Sequence, residues 1–219
     1  KEMLPEFSIA TLNTFKIGNE VGELAKKLYP EGIDIPTEDF SQNIQLSKES
    51  LTQNKPLFEP AIMFEQLYSR ADVLVPVGNK WDIVEVKSAT KVKDVNIWDV
   101  AFQKHVYEEA GLNIRNCFLM HINNEYVRKG ELNPEELFTK QDITEEVEER
   151  LKQVPEKVSE MFDILNYPEL PGNIIGTYCD DPYGCPLKDD CWSFLPEGHV
   201  FQLTRGGKTS FELFDNEIY

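Results

Sequence analysis

The stretch "ADVLVPVGNKWDIVEVK", Ala71 to Lys87, decides how the rest of the chain is read. Two runs rich in Val and Ile flank Gly78-Asn79, a dipeptide favoured in tight hairpin turns, so the segment is expected to be two antiparallel strands. If Gly78 and Asn79 form a two-residue loop, Val77 stands opposite Lys80 and Asp72 opposite Glu85. Because side chains alternate along a strand, Glu85 and Lys87 share a face. A loop longer by one residue would shift this pairing by one position. Both runs are apolar on both faces, which predicts a buried central hairpin rather than a surface one.

Working outward, Leu4, Phe7, Ile9, Leu12, Phe15, Val21, Leu24, Ala25 and Leu28 approach helical spacing, which predicts a helix from about Thr11 to Leu28. Pro30 to Phe58 carries Pro30, Pro36, Pro56, Gly32, Asn43 and Asn54 and reads as connection, with a short helix after Ser47. Beyond the hairpin, Ile97 to Ala110 is a helix closed by Gly111, with Asp99, Gln103 and Tyr107 at i, i+4 steps on one face. Asn113 to Ile122 is an apolar strand carrying Cys117, and Ile143 to Leu165 an acidic amphipathic helix broken near Pro155. The expected fold is α/β, a mixed sheet flanked by helices. Residues 1–166 are expected to form the core and 167–219 a Cys-containing, metal-binding extension, rich in Gly and Pro, packed on it.

The 219 residues are 41% hydrophobic, ample for a core and against a disordered or fibrous chain. With Lys plus Arg at 22 and Asp plus Glu at 39, the formal charge is -17, which argues against a general basic groove for nucleic acid. A polyanionic substrate would need metal ions or a local cationic patch. Lys87, Lys91, Lys93 and Lys104 cluster in sequence around the hairpin and its helix, while much acid lies in the Glu145 to Glu160 segment. No run approaches the roughly 18 apolar residues of a membrane span and no leader is visible, so a cytoplasmic location without membrane association is expected. The start at Lys1 and stop at Tyr219 read as a fragment of a longer protein.

Asp72, Glu85 and Lys87 carry the chemistry. Two carboxylates side by side on a buried hairpin are costly unless neutralised, and Mg²⁺ or Mn²⁺ with hard oxygen ligands does that directly. Lys87, on the same face, would hold or polarise a water or a phosphate oxygen. The plainer alternative is a surface Glu-Lys ion pair worth about 0–1 kcal/mol.

The order Asp72, "EVK" at 85–87, then Gln103 and Tyr107 in a Q-x-x-x-Y phrase resembles the RecB-type branch of the PD-(D/E)XK nuclease superfamily. The resemblance implies a restriction-endonuclease-like core. In it Asp72 and Glu85 are metal ligands aided by the Val86 carbonyl, Lys87 is the catalytic lysine, and Gln103 and Tyr107 support the site and contact DNA. The superfamily adds a ligand from the first helix. Where relatives carry His this chain has Gly22, so Glu20 is the expected substitute, with Glu23 behind it. The phrases "ADVL", "EVKSAT", "DVAFQKHVYEEAGL", "MHINNEYVRKGEL" and the tail from Cys191 are also similar to an uncharacterised family of bacterial multidomain proteins with a RecB-like front end.

In "CDDPYGCPLKDDCW", Cys179, Cys185 and Cys191 are each separated by five residues on irregular chain, a pattern of metal ligands rather than core packing or a disulfide framework. The branch that includes the CRISPR adaptation nucleases and AddB-type nucleases is similar and implies a [4Fe-4S] cluster, although no Cys precedes Asp72 here and the spacing departs from C-x-x-C. A fourth ligand is expected upstream of Lys1. The alternatives are Cys117, which reads better as a small buried hydrophobe, and a Zn²⁺ site of three thiolates with His199. His105 and His121 read as structural or solvent-facing.

The expected function is metal-dependent hydrolysis of DNA phosphodiester bonds, single strands favoured, with other domains of the same longer chain as partners. The alternative is a non-catalytic module binding nucleic acid or protein through a structural Fe-S or Zn site. A redox enzyme has little support, since no G-x-G-x-x-G or Walker phrase is present.

Overall fold

The computed structural model describes residues 6–36, 39–168 and 175–218. Leu4, the first apolar residue of the N-terminal helical spacing, lies outside them. The chain divides into two compact units, Ile9–Phe162 and a smaller one that gathers Asp163–Tyr219 with Lys1–Ser8.

The larger unit is mixed α/β, built on an open six-stranded mixed sheet flanked by helices. Along the chain it runs α1 (Ile9–Lys26), β1 (Ile33–Asp34), α2 (Phe40–Ser50), β2 (Leu57–Phe58), β3 (Ala61–Phe64), β4 (Leu67–Arg70), β5 (Val73–Val77), β6 (Lys80–Lys87), α3 (Asp94–Glu109), β7 (Ile114–Ile122), α4 (Pro134–Leu137), β8 (Phe138–Asp142), α5 (Thr144–Leu151) and most of α6 (Val154–Leu165). The sheet order is β1-β2-β5-β6-β7-β8, and β3-β4 form a separate hairpin. β6 and β7 are parallel and joined through α3, the crossover a parallel pair requires.

The hairpin register is the expected one: Val77 pairs Lys80, Leu74 pairs Ile83 and Val73 pairs Val84. Gly78 carries φ +65, which a first central turn position demands and Gly supplies. Pro76 is tolerated because β2 reaches only Val73 and Leu74, leaving the outer edge of β5 open where the missing N–H would fall. Alternation then divides β6. Ile83 joins Leu57, Leu74, Val100, Tyr107, Cys117, Leu119 and Val147 in a core on the α3 side. Val84 joins Val21, Ala25, Phe58, Val73 and Met120 on the α1 side.

The helix read from Thr11 to Leu28 spans Ile9–Lys26, and the acidic helix divides into α5 and α6, with Pro155 in the first turn of α6. The segment read as connection contains α2, which begins ahead of the helix expected after Ser47. Its buried face is polar: Asn43 is 1% and Ser47 0% exposed, so hydrophobic periodicity carries no trace of it. Ser47 Oγ donates to the Asn43 carbonyl and accepts from the Ala61 amide, while Asp39 caps the helix through the Gln42 amide.

In the smaller unit, α7 (Lys188–Cys191) and α8 (Lys208–Asp215) surround an aromatic cluster in which Phe201 touches Trp192, Phe211 and Phe214, with ring centroids 4.6, 4.8 and 5.5 Å away. Among the described residues no helix is long and apolar enough to cross a membrane.

Candidate active site

Asp72 lies immediately before β5 and Glu85 on β6, and continuing the pairing of Val73 with Val84 sets them opposite each other. Both belong to the α3 side of the sheet. Asp72 is half-buried and Glu85 only 5% exposed. Asp72 Oδ2 accepts the Val86 amide at 2.6 Å. Lys87 Nζ donates to Glu85 Oε1 at 2.6 Å and to Asp99 Oδ2 at 3.1 Å. Gln103 Nε2 donates to Glu85 Oε2 at 2.8 Å, while Gln103 Oε1 is buried with no partner among the described residues. The helical face of Asp99, Gln103 and Tyr107 therefore engages the hairpin.

Tyr107 is placed to support the site but lacks the exposure that the expected DNA contact would need. It is 0% exposed, and its hydroxyl donates to the Pro60 carbonyl at 2.7 Å and accepts the Ala71 amide at 2.9 Å. With no free surface and its hydroxyl bonded on both sides, it ties the loop at Pro60 to the backbone just before Asp72.

The carboxylates are under electrostatic load. Burial, then repulsion from Glu85, pushes Asp72 well above the ordinary carboxylate range, against the pull of the Val86 amide. Burial also raises Glu85, although Lys87 and Gln103 favour its charged form. Burial alone would lower Lys87, but Glu85 and Asp99 more than offset it, and the amine is held charged.

A cavity of about 500 Å³ opens over these groups, lined on α1 by Gly18, Asn19, Gly22, Glu23 and Lys26 and otherwise by Glu59, Arg70, Asp72, Glu85, Val86 and Lys87. Gly22 thus does face the site. Glu20 does not line it: its side chain is 64% exposed and lies 3.9 Å from Lys16, one helical turn away. Glu23, one turn of the helix from Asn19, is the α1 acid at the cavity, in contact with Lys26 at 2.7 Å.

Glu59 and Arg70 were not singled out by the sequence. Glu59 sits in a connection with φ +56, unusual for a residue with a side chain, and its Oε2 meets Arg70 Nε at 2.8 Å. No periodicity announces either; the sole signals are Pro60 after Glu59 and the position of Arg70 two residues before Asp72. His121, read as structural or solvent-facing, is 8% exposed and stands opposite Lys87 in the pairing of β6 with β7. The expected basic cluster is corrected at Lys104, which is 3% exposed and salt-bridged to Glu148 at 2.6 Å and Glu108 at 3.3 Å, on the α5 side of α3.

Hard oxygen donors and closely set negative charges that are costly to leave uncompensated make Asp72, Glu85 and the Val86 carbonyl chemically suited to a divalent cation. The cysteines differ. Cys179 is buried, Cys185 exposed and Cys191 half-buried, and all are free thiols. Among the described residues no three His, Cys, Asp or Glu side chains form a group able to hold a metal, so Cys179, Cys185 and Cys191 as arranged do not fit a [4Fe-4S] cluster or Zn²⁺. Cys117 is fully buried, and burial pushes its thiol up to about 12, the behaviour of a core residue rather than a ligand.

No family model matches the chain, and no curated protein matches it in sequence. The resemblance to RecB-type nucleases rests on the motif residues themselves.

Proposed function

We propose that the chain is a divalent-metal-dependent nuclease with a restriction-endonuclease-type core, hydrolysing phosphodiester bonds in DNA, with single strands the favoured substrate. The observation that carries this reading is the set formed by partly buried Asp72, buried Glu85 and Lys87, whose amine is 2.6 Å from Glu85, all lining one cavity. A surface ion pair would not need two carboxylates under shared burial.

Asp72, Glu85 and the Val86 carbonyl would hold Mg²⁺ or Mn²⁺, which when bound lowers the pKa of water and neutralises phosphate charge. Lys87 presents a fixed ammonium where negative charge develops on the phosphoryl oxygens, and its contacts to Glu85 and Asp99 limit its motion. Gln103 fixes the Glu85 carboxylate. Tyr107 fixes the backbone on which Asp72 stands.

The test is Mn²⁺-dependent cleavage of labelled single- and double-stranded DNA. Glu85→Ala and Lys87→Ala are each expected to lower the rate by at least about 100-fold with the fold intact. Cleavage unchanged in both variants contradicts the assignment, and metal-independent binding without cleavage by wild-type protein favours a binding module.

A further inference from the structure

We infer that Arg70 grips a backbone phosphate of the substrate strand beside the one being cut, and that Glu59 holds it in position to do so. The inference rests on the nuclease reading and names the group that lets this site accept a polyanion. With a formal charge of -17, the chain must supply its cations locally.

Three cations line the cavity: Lys26, Arg70 and Lys87. Lys87 lies between Glu85 and Asp99, and Lys26 between Glu23 at 2.7 Å and Asp34 at 2.6 Å. Both are compact ammonium groups already shared by two carboxylates. Arg70 meets a single acid among the described residues, Glu59, with Nε 2.8 Å from Oε2, so its terminal nitrogens are not shared by a second carboxylate. Those nitrogens offer the paired donors that match two oxygens of a phosphate, a geometry lysine lacks.

The anchor is itself anchored. The Glu59 amide donates to the Asp72 carbonyl at 3.1 Å, and the carbonyl of the next residue, Pro60, receives the Tyr107 hydroxyl. Glu59 keeps its left-handed backbone within this frame. The Glu59 backbone is therefore tied to that of Asp72, and Glu59 holds the Arg70 guanidinium beside the cavity that Asp72 also lines. A phosphate held there sets the strand in register with Asp72 and Glu85.

The test is binding of fluorescein-labelled oligothymidylate, followed by anisotropy as a function of salt in Ca²⁺ with cleavage checked to be absent. Arg70→Ala is expected to weaken binding about tenfold and to reduce the slope of log K against log salt by about 0.7, the counterion release of one single-strand phosphate. Arg70→Lys restores the slope and part of the affinity. Lys80→Ala, an exposed cation at the turn end of the hairpin, leaves both unchanged. Wild-type affinity or wild-type slope in Arg70→Ala overturns the role of Arg70 while leaving the nuclease reading intact. Wild-type protein that neither binds nor cleaves DNA overturns both.

Discussion

At the scale of single residues, the site is an arrangement of groups each costly alone. An acid whose folded-state pKa lies above its unfolded value binds its proton more tightly when folded. Folding therefore loses stability as pH rises through that interval and regains it as pH falls. Asp72 is such an acid, raised by burial and by Glu85. Metal-free Asp72→Asn is accordingly expected to melt several degrees above wild type at pH 7–8, with the gap closing as pH falls and the wild-type carboxyl takes up its proton. The Asn oxygen keeps the Val86 amide satisfied. Melting curves in chelator across pH check this, and a gap that widens toward acid contradicts it. Tyr107 tests the frame: Tyr107→Phe strips the Ala71 amide and Pro60 carbonyl of their buried partner and is expected to cost about 2 kcal/mol by urea denaturation.

At the scale of elements, turn chemistry and helix propensity make opposite predictions for two glycines. Gly78 has φ +65 with nothing within 4 Å of an added Cβ, so Gly78→Ala meets no clash and is expected to cost about 1 kcal/mol through backbone strain alone. Gly22 lies inside α1 with equally open space, so Gly22→Ala is expected to stabilise by about 0.8 kcal/mol. Chemical denaturation of the pair decides both signs. The elements that announced themselves had one strong signal each: the Gly78-Asn79 turn for β5 and β6, the stop at Gly111 for α3, the apolar run for β7. Those that did not were silent for physical reasons. β1 and β2 are two residues long, β8 is largely exposed, and α2 buries Asn43 and Ser47 where a helix usually buries Leu or Val.

At the scale of the molecule, the same logic divides the site. Asp72, Glu85, Lys87 and Gln103 were legible because strand alternation and helical repeat fix their faces. Glu59 and Arg70 were not, since a connection bent through left-handed backbone has no period to read. Glu20 and Glu23 differ by three positions on one helix, and only the packing of α1 on β6 decides which reaches the cavity. The overall charge of -17 then acquires a local meaning. On the nuclease reading, a surface of this charge would repel nucleic acid, and the site would have to attract it through bound cations and a few basic groups.

The proposed chemistry depends on Asp72 and Glu85 forming a divalent-cation site, which calorimetric titration of the wild-type protein with Mn²⁺ reads without a substrate. Saturable uptake that weakens at least about tenfold in Asp72→Asn and in Glu85→Gln is the predicted result, since each variant removes one charged ligand. Undiminished uptake in both variants, or no saturable uptake by folded wild-type protein, contradicts the account.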